Sequence, residues 1–113
     1  MPMAPAIIGS TWTAIEINGE PTPTRLSTFK ITEEMKAIGI GGCNNWSAPI
    51  LLEGSEIRIG SIRSTNKACL GPGMQQEVDY FAALAATKSF AAAEGELHFL
   101  DATGTIIIHF AVA

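Results

Sequence analysis

Helical spacing is convincing in one stretch of this chain. In GPGMQQEVDYFAALAATKSF, residues 71–90, Met74, Val78, Phe81 and Ala85 recur at steps of four, three and four, which lines one stripe of a helix. Pro72 suits a first turn, and Glu77 and Asp79 lie towards the positive end of the helix dipole. Ala82, Ala83, Leu84 and Ala86 add helix propensity. The spacing predicts a single helix over about residues 72–87, with Met74, Val78 and Phe81 packed into a core.

Elsewhere the apolar residues alternate in short runs between turn signals. STWTAIEINGE reads as a first strand, with Thr13, Ile15 and Ile17 alternating against Trp12, Ala14 and Glu16 before the turn dipeptide Asn18-Gly19. The prolines of EPTPT break any ladder and mark a connection. RLSTFKI and KAIGIGG are strand candidates joined through EEM, and ILLEGSEIRIGSI resembles a hairpin turning at Glu53-Gly54-Ser55. The last 25 residues, SFAAAEGELHFLDATGTIIIHFAVA, read as a meander of three strands. The expected fold is mainly β: a small antiparallel β-barrel or rolled sheet with one α-helix packed against it, across an opening. With 113 residues, no repeat and no linker, the chain divides into an N-terminal tail, 1–8, and a single domain, 9–113.

Composition excludes several function classes. The chain is 47% hydrophobic and 16% charged, which disfavours disorder. A net charge of -4, with its seven basic residues scattered, argues against binding nucleic acid. No apolar run approaches the roughly 20 residues of a transmembrane helix. MPMAPAIIGS lacks a basic n-region and a proper apolar h-region, so either a cytoplasmic protein or a mature domain without its leader is expected.

The order of features is more specific than any one of them. A Thr-Trp pair near the start, GGCNNW in the middle, STNKAC about two dozen residues later, then MQQEVDYFAAL and LHFLDATGTIIIHF resemble the META domain, the family of heat-shock protein HslJ. The resemblance runs from about Gly9 to Phe110. It implies a single-domain, mainly antiparallel fold, often carried by exported or lipid-anchored bacterial envelope proteins. Links to stress and drug tolerance are reported for the family, with no agreed enzymatic activity. Two features depart from the pattern: Lys67 stands where an apolar residue, often methionine, is common, and MPMAPAIIGS does not read as a leader.

GGCNNW also has a physical reading of its own. Gly39, Gly41 and Gly42 within a strand pattern suggest a bulge or the close approach of another backbone. Asn44 and Asn45 tolerate positive φ and can satisfy nearby backbone groups in a tight turn. Trp46 is expected to fold over the barrel end as an apolar plug with its indole N–H near an acceptor. Thr65, in STNKAC, suits a turn cap better than a nucleophile. Gly42, Asn44, Asn45, Trp46 and Thr65 are therefore the structural or binding-loop candidates. Cys43 and Cys69 are the only cysteines, and such a pair in a small exported domain invites a disulfide. Two buried free thiols are the alternative.

The chemistry for an enzyme is thin. There is no Gly-x-Ser-x-Gly elbow, no Cys-x-x-Cys, and no lysine after GIGG to make a phosphate loop. The two histidines, His98 and His109, share one sheet face if Leu97, Phe99, Ile106, Ile108 and Phe110 face the core. That pattern places Glu96 near His109 and His98 diagonally across, a set able to hold a transition metal, although a solvated outer face accounts for it too. No metal or cofactor is expected, and no catalytic residue. The sequence is read as a non-catalytic, stress-associated envelope or periplasmic domain that acts by binding an unknown protein, as a monomer or weak dimer. The alternative is a barrel that carries a small apolar molecule between sheet and helix.

Overall fold

The structure, a computed structural model, describes residues 7–113. It contains ten strands and a 14-residue helix: β1 (Thr11–Ile17), β2 (Glu20–Pro21), β3 (Thr28–Ile31), β4 (Lys36–Ile40), β5 (Asn45–Glu53), β6 (Glu56–Ile59), β7 (Arg63–Ser64), α1 (Gly73–Ala86), β8 (Ser89–Ala93), β9 (Glu96–Leu100) and β10 (Ile106–Val112). The strands pair antiparallel in the order β10-β9-β8-β6-β5-β4-β3-β1, and β10 returns to β1 to close an eight-stranded barrel. The short β2 and β7 lie off this ring, on β1 and β5. Closure leaves no long unpaired edge, the liability of an open sheet.

Local chemistry sets the turns. Asn18 (φ 55°) and Gly19 (φ 80°) both adopt the left-handed region, as a two-residue hairpin between Ile17 and Glu20 requires. Two bulges break the simple alternation. In β1, Ala14 pairs with Phe110 but Glu16 with His109, so Ile15 is an extra residue. Trp12 and Ala14 therefore face inward before the bulge and Ile17 after it, which splits both alternating sets. In β10, Ile106 pairs with Leu100 and Ile108 with Phe99, leaving Ile107 extra. Ile107 and Ile108 are both buried, whereas Ile106, expected in the core, is 47% exposed.

The barrel interior is filled by side chains. Phe29, Phe99 and Phe110 form a mutual cluster with ring centroids 5.0, 5.7 and 4.9 Å apart. Trp46 stacks on Phe29 at 6.1 Å, and Tyr80 of α1 meets the edges of Trp46 and Phe110. Ile31, Ile57, Leu84, Leu97 and Ile108 complete a core without solvent exposure. The helix closes one mouth, but not with the expected stripe. Its buried residues are Gly73, Gln76, Glu77, Tyr80, Ala83 and Leu84, while Val78 is 58% exposed, Ala85 is exposed, and Met74 and Phe81 are half-buried. The rotation has a polar cause: Gln76 and Glu77 are drawn inward by loop backbone groups that need partners.

At the N-terminal side, Ile7 is fully buried, Ile8 bridges Ile31, and the Gly9 amide donates to the Ile31 carbonyl at 2.9 Å. The packed fold thus takes in Ile7 and Ile8, which the sequence reading assigned to a tail. Residues 1–6 of that tail lie outside the described residues.

Candidate functional site

The loop Gly41–Asn44 joins β4 to β5, closed by the Gly41 amide donating to the Asn44 carbonyl at 2.8 Å. Its glycines are required by proximity. A Cβ on Gly42 would collide with the Gly73 carbonyl oxygen, and one on Gly41 would sit 2.7 Å from both Glu77 Cγ and Phe81 Cζ. One position earlier, a Cβ on Gly39 would run into the Thr28 carbonyl. The close-approach reading of these glycines holds; the αL reading of the asparagines does not. Positive φ among the described non-glycine residues belongs to Asn18 and Met35, not to Asn44 or Asn45.

Asn44 works instead through its amide. Nδ2 donates to Glu77 Oε2 at 2.9 Å and to the Lys67 carbonyl at 3.1 Å. Oδ1 accepts from the Lys67 amide at 2.7 Å and from Thr65 Oγ1 at 2.9 Å. Glu77 completes the knot, its Oε1 accepting from the amides of Asn44 (2.6 Å) and Cys43 (3.0 Å). A buried carboxylate with this many donors is well compensated for leaving water. Asn45 has its side chain in solvent and contributes its carbonyl to the Thr65 amide at 3.1 Å.

Cys43 and Cys69 are bonded to each other, with Cα atoms 6.1 Å apart. Trp46 is buried in the core, and its Nε1 donates to the Thr28 carbonyl at 3.2 Å, an acceptor shared with the Tyr80 hydroxyl at 2.7 Å. Burial raises the Tyr80 pKa well above that of a free phenol. Gly42, Asn44, Trp46, Thr65, Cys43 and Cys69 thus form one assembly that ties the β4–β5 loop, the segment after β7 and the first turns of α1 together. Lys67 enters only through its backbone; its side chain is exposed, which explains why a lysine is tolerated there.

Sequence reasoning missed three members. In the sequence, charge alone places Glu77 near the helix start, no pattern singles out Gln76, and Ser27 falls in a strand candidate. Gln76 bonds Thr24 through both Oε1 (to the amide, 2.9 Å) and Nε2 (to the carbonyl, 3.2 Å), and Nε2 also donates to Ser27 Oγ at 2.7 Å. Ser27 Oγ in turn donates to the Gly41 carbonyl. The available signal is the polar run Gln75-Gln76-Glu77 in the first turns of the helix.

The segment anchored by this assembly carries an unusual side chain. Between Gly60 and Pro72 all residues except the half-buried Ile62 are exposed, and Leu70, next to the disulfide, is fully exposed. An open cleft of about 470 Å³ lies elsewhere, between Asn18–Pro23 and the start of α1 at Pro72, Gln75 and Asp79.

On the far outer face the structure brings Glu96, His98 and His109 together. His98 pairs directly opposite His109, not diagonally, because the Ile107 bulge shifts the register. Glu96 Oε1 lies 2.8 Å from His109 Nε2 and 3.7 Å from His98 Nε2, and the imidazole centroids are 4.5 Å apart. Glu16 of β1, absent from the sequence-based set, lies with Oε1 3.7 Å from His109 Nδ1.

A closed eight-stranded antiparallel barrel with a helix wedged into one mouth, pinned by a Cys–Asn loop, defines a class of small β domains. The META domain matches residues 5–112, and the chain belongs to that family. Its fold recurs in an NMR structure of a protein from Burkholderia xenovorans, at TM-score 0.76 and 20% identity, covering 100% of this chain and 90% of that one. A crystal structure of a DUF4847 family protein from Bacteroides vulgatus is similar at TM-score 0.72 and 13% identity, with 93% of each chain covered. No curated protein matches the sequence significantly.

Proposed function

We infer that this META domain acts by binding a protein partner, not by catalysis, through the segment Ser64–Gly71. The observation that carries the reading is Leu70: a leucine fully in solvent, on a segment held by a disulfide, by the Asn44 side chain and by pairing of β7 with β5. A flexible loop would lose conformational entropy on docking, whereas a pre-tied loop has surrendered most of it on folding. The flanking exposed Lys67, Asn66 and Ser64 supply the polar rim of such a contact, and Leu70 its apolar centre. The partner is a protein with an apolar socket. The disulfide supports an oxidising compartment, hence the bacterial envelope, and a stress-associated role follows the family. The carrier reading has less support, because aromatic rings fill the space such a ligand would need.

Photo-crosslinking in native cells tests this, with a photoreactive residue at position 70 and a control at Leu51, also a solvent-exposed leucine, on the β5–β6 hairpin. A discrete protein adduct from position 70, absent from position 51 and lost in Cys69→Ser, is expected. Indistinguishable adducts from the two positions, or none from position 70, would overturn the proposal.

A further inference from the structure

A second group of polar side chains stands on the outer wall of the barrel, on paired strands. We propose that Glu96, His98 and His109 bind a divalent transition-metal ion of the Zn²⁺ type, with Glu16 as the outer-shell partner of His109. The site lies on the outer face of three adjacent strands, β1, β10 and β9.

Register explains the convergence. His109 stands in the middle strand, with His98 directly across on β9 and Glu16 directly across on β1. Glu96 pairs with Ala111, whose small side chain leaves the carboxylate free to lean back over His109. One donor atom from each of Glu96, His98 and His109 falls within 4.8 Å of the others. Zinc takes imidazole nitrogen and carboxylate oxygen at about 2.0–2.2 Å, so neighbouring donors around a tetrahedral ion stand roughly 3.3–3.5 Å apart. The observed separations of 2.8 and 3.7 Å from Glu96 to the two imidazoles bracket that value.

The two nitrogens of His109 have different neighbours, as a metal ligand requires. Nε2 faces Glu96 and His98, while Nδ1 faces the Glu16 carboxylate at 3.7 Å. Without an ion the 2.8 Å contact is a hydrogen bond from Nε2 to the Glu96 carboxylate, so seating the ion displaces the Nε2 proton, and Glu16 is the carboxylate placed to accept from Nδ1–H in the metal-bound tautomer. Two imidazoles and one carboxylate leave a fourth position open to water or to a ligand from another molecule. The side chains are part-exposed, 23% for His109 and 32% for His98, so an ion has direct access. This site is independent of the Leu70 segment.

The chain makes a clean test, because His98 and His109 are its only histidines and both cysteines are in the disulfide. Calorimetric titration of the oxidised protein with Zn²⁺ should give one ion per chain, with binding weakening on acidification as protons compete for Nε2. His98→Asn and Glu96→Gln, both on the surface, should abolish stoichiometric binding while leaving the metal-free thermal midpoint in place. Glu16→Gln should weaken binding about 10–100-fold without removing a ligand. In nitrogen-resolved NMR, the His109 Nε2 resonance should move to the metal-bound position on Zn²⁺ addition, with the ring proton on Nδ1 in the bound form. Absence of one-to-one binding, or binding unchanged in both His98→Asn and Glu96→Gln, overturns the site. Unchanged affinity in Glu16→Gln overturns the outer-shell role.

Discussion

Asn44 shows why single positions in this chain resist being read from type alone. Asparagine in a Gly-rich stretch signals a turn with positive φ, yet here its value lies in an amide that bonds at both ends to a segment more than twenty residues away. The partners Lys67 and Glu77 are remote in sequence, so no local pattern announces them. Trp46 was more legible, since a tryptophan flanked by turn residues has few uses beyond packing, and its indole N–H found a carbonyl as expected. Tyr80 carries a prediction at this scale. It is the only tyrosine, is fully buried, and its folded pKa is raised by burial. A raised folded pKa means its contribution to stability is fully present below the unfolded value of about 10 and is lost as pH climbs above it. Ultraviolet titration should therefore show no tyrosinate until the protein unfolds, and Tyr80→Phe should flatten the alkaline loss of stability. A tyrosinate signal from folded protein at pH near 10 would contradict the burial.

Among the elements, strands were easier to read than the helix face. Alternation and turn dipeptides located β1, the β5–β6 hairpin and the β8–β9–β10 meander, because a two-residue period and a positive-φ turn are local properties. Bulges at Ile15 and Ile107 were invisible, since one extra residue is defined only by the partner strand. The helix was placed within a residue or so, yet its apolar stripe pointed to the wrong face. Hydrophobic spacing treats Gln76 and Glu77 as outward, and loop amides and hydroxyls turn them inward. The corrected face is testable by chemical denaturation: Leu84→Ala should cost about 2–5 kcal/mol, whereas exposed Val78→Ala should stay within roughly 0.5 kcal/mol of the parent. A reversal of that order would restore the Met74–Val78–Phe81 face to the core.

At the scale of the molecule, the same barrel recurs in chains 20% identical or less. Packing volume and closure, more than particular residues, specify it. In this chain the disulfide pins one mouth across 26 residues of sequence. On the chain-entropy model that closure contributes about 3–4 kcal/mol, so equilibrium unfolding of Cys43→Ser/Cys69→Ser should show an unfolding free energy lowered by about that amount, with the barrel otherwise intact. Stability indifferent to the double substitution would mean the Asn44–Glu77 knot alone fixes the loop.

The seam of the barrel lies between its first and last ring strands, where Trp12 meets Val112 and Ile17 meets Ile108. During synthesis, β1 has no partner on that side until almost the entire chain has left the ribosome. Closure is therefore a late event that joins contacts about a hundred residues apart, a topology that slows folding. A nascent chain of this kind spends its synthesis with the barrel unclosed. That gives any factor that guards unfinished proteins a long interval in which to find it.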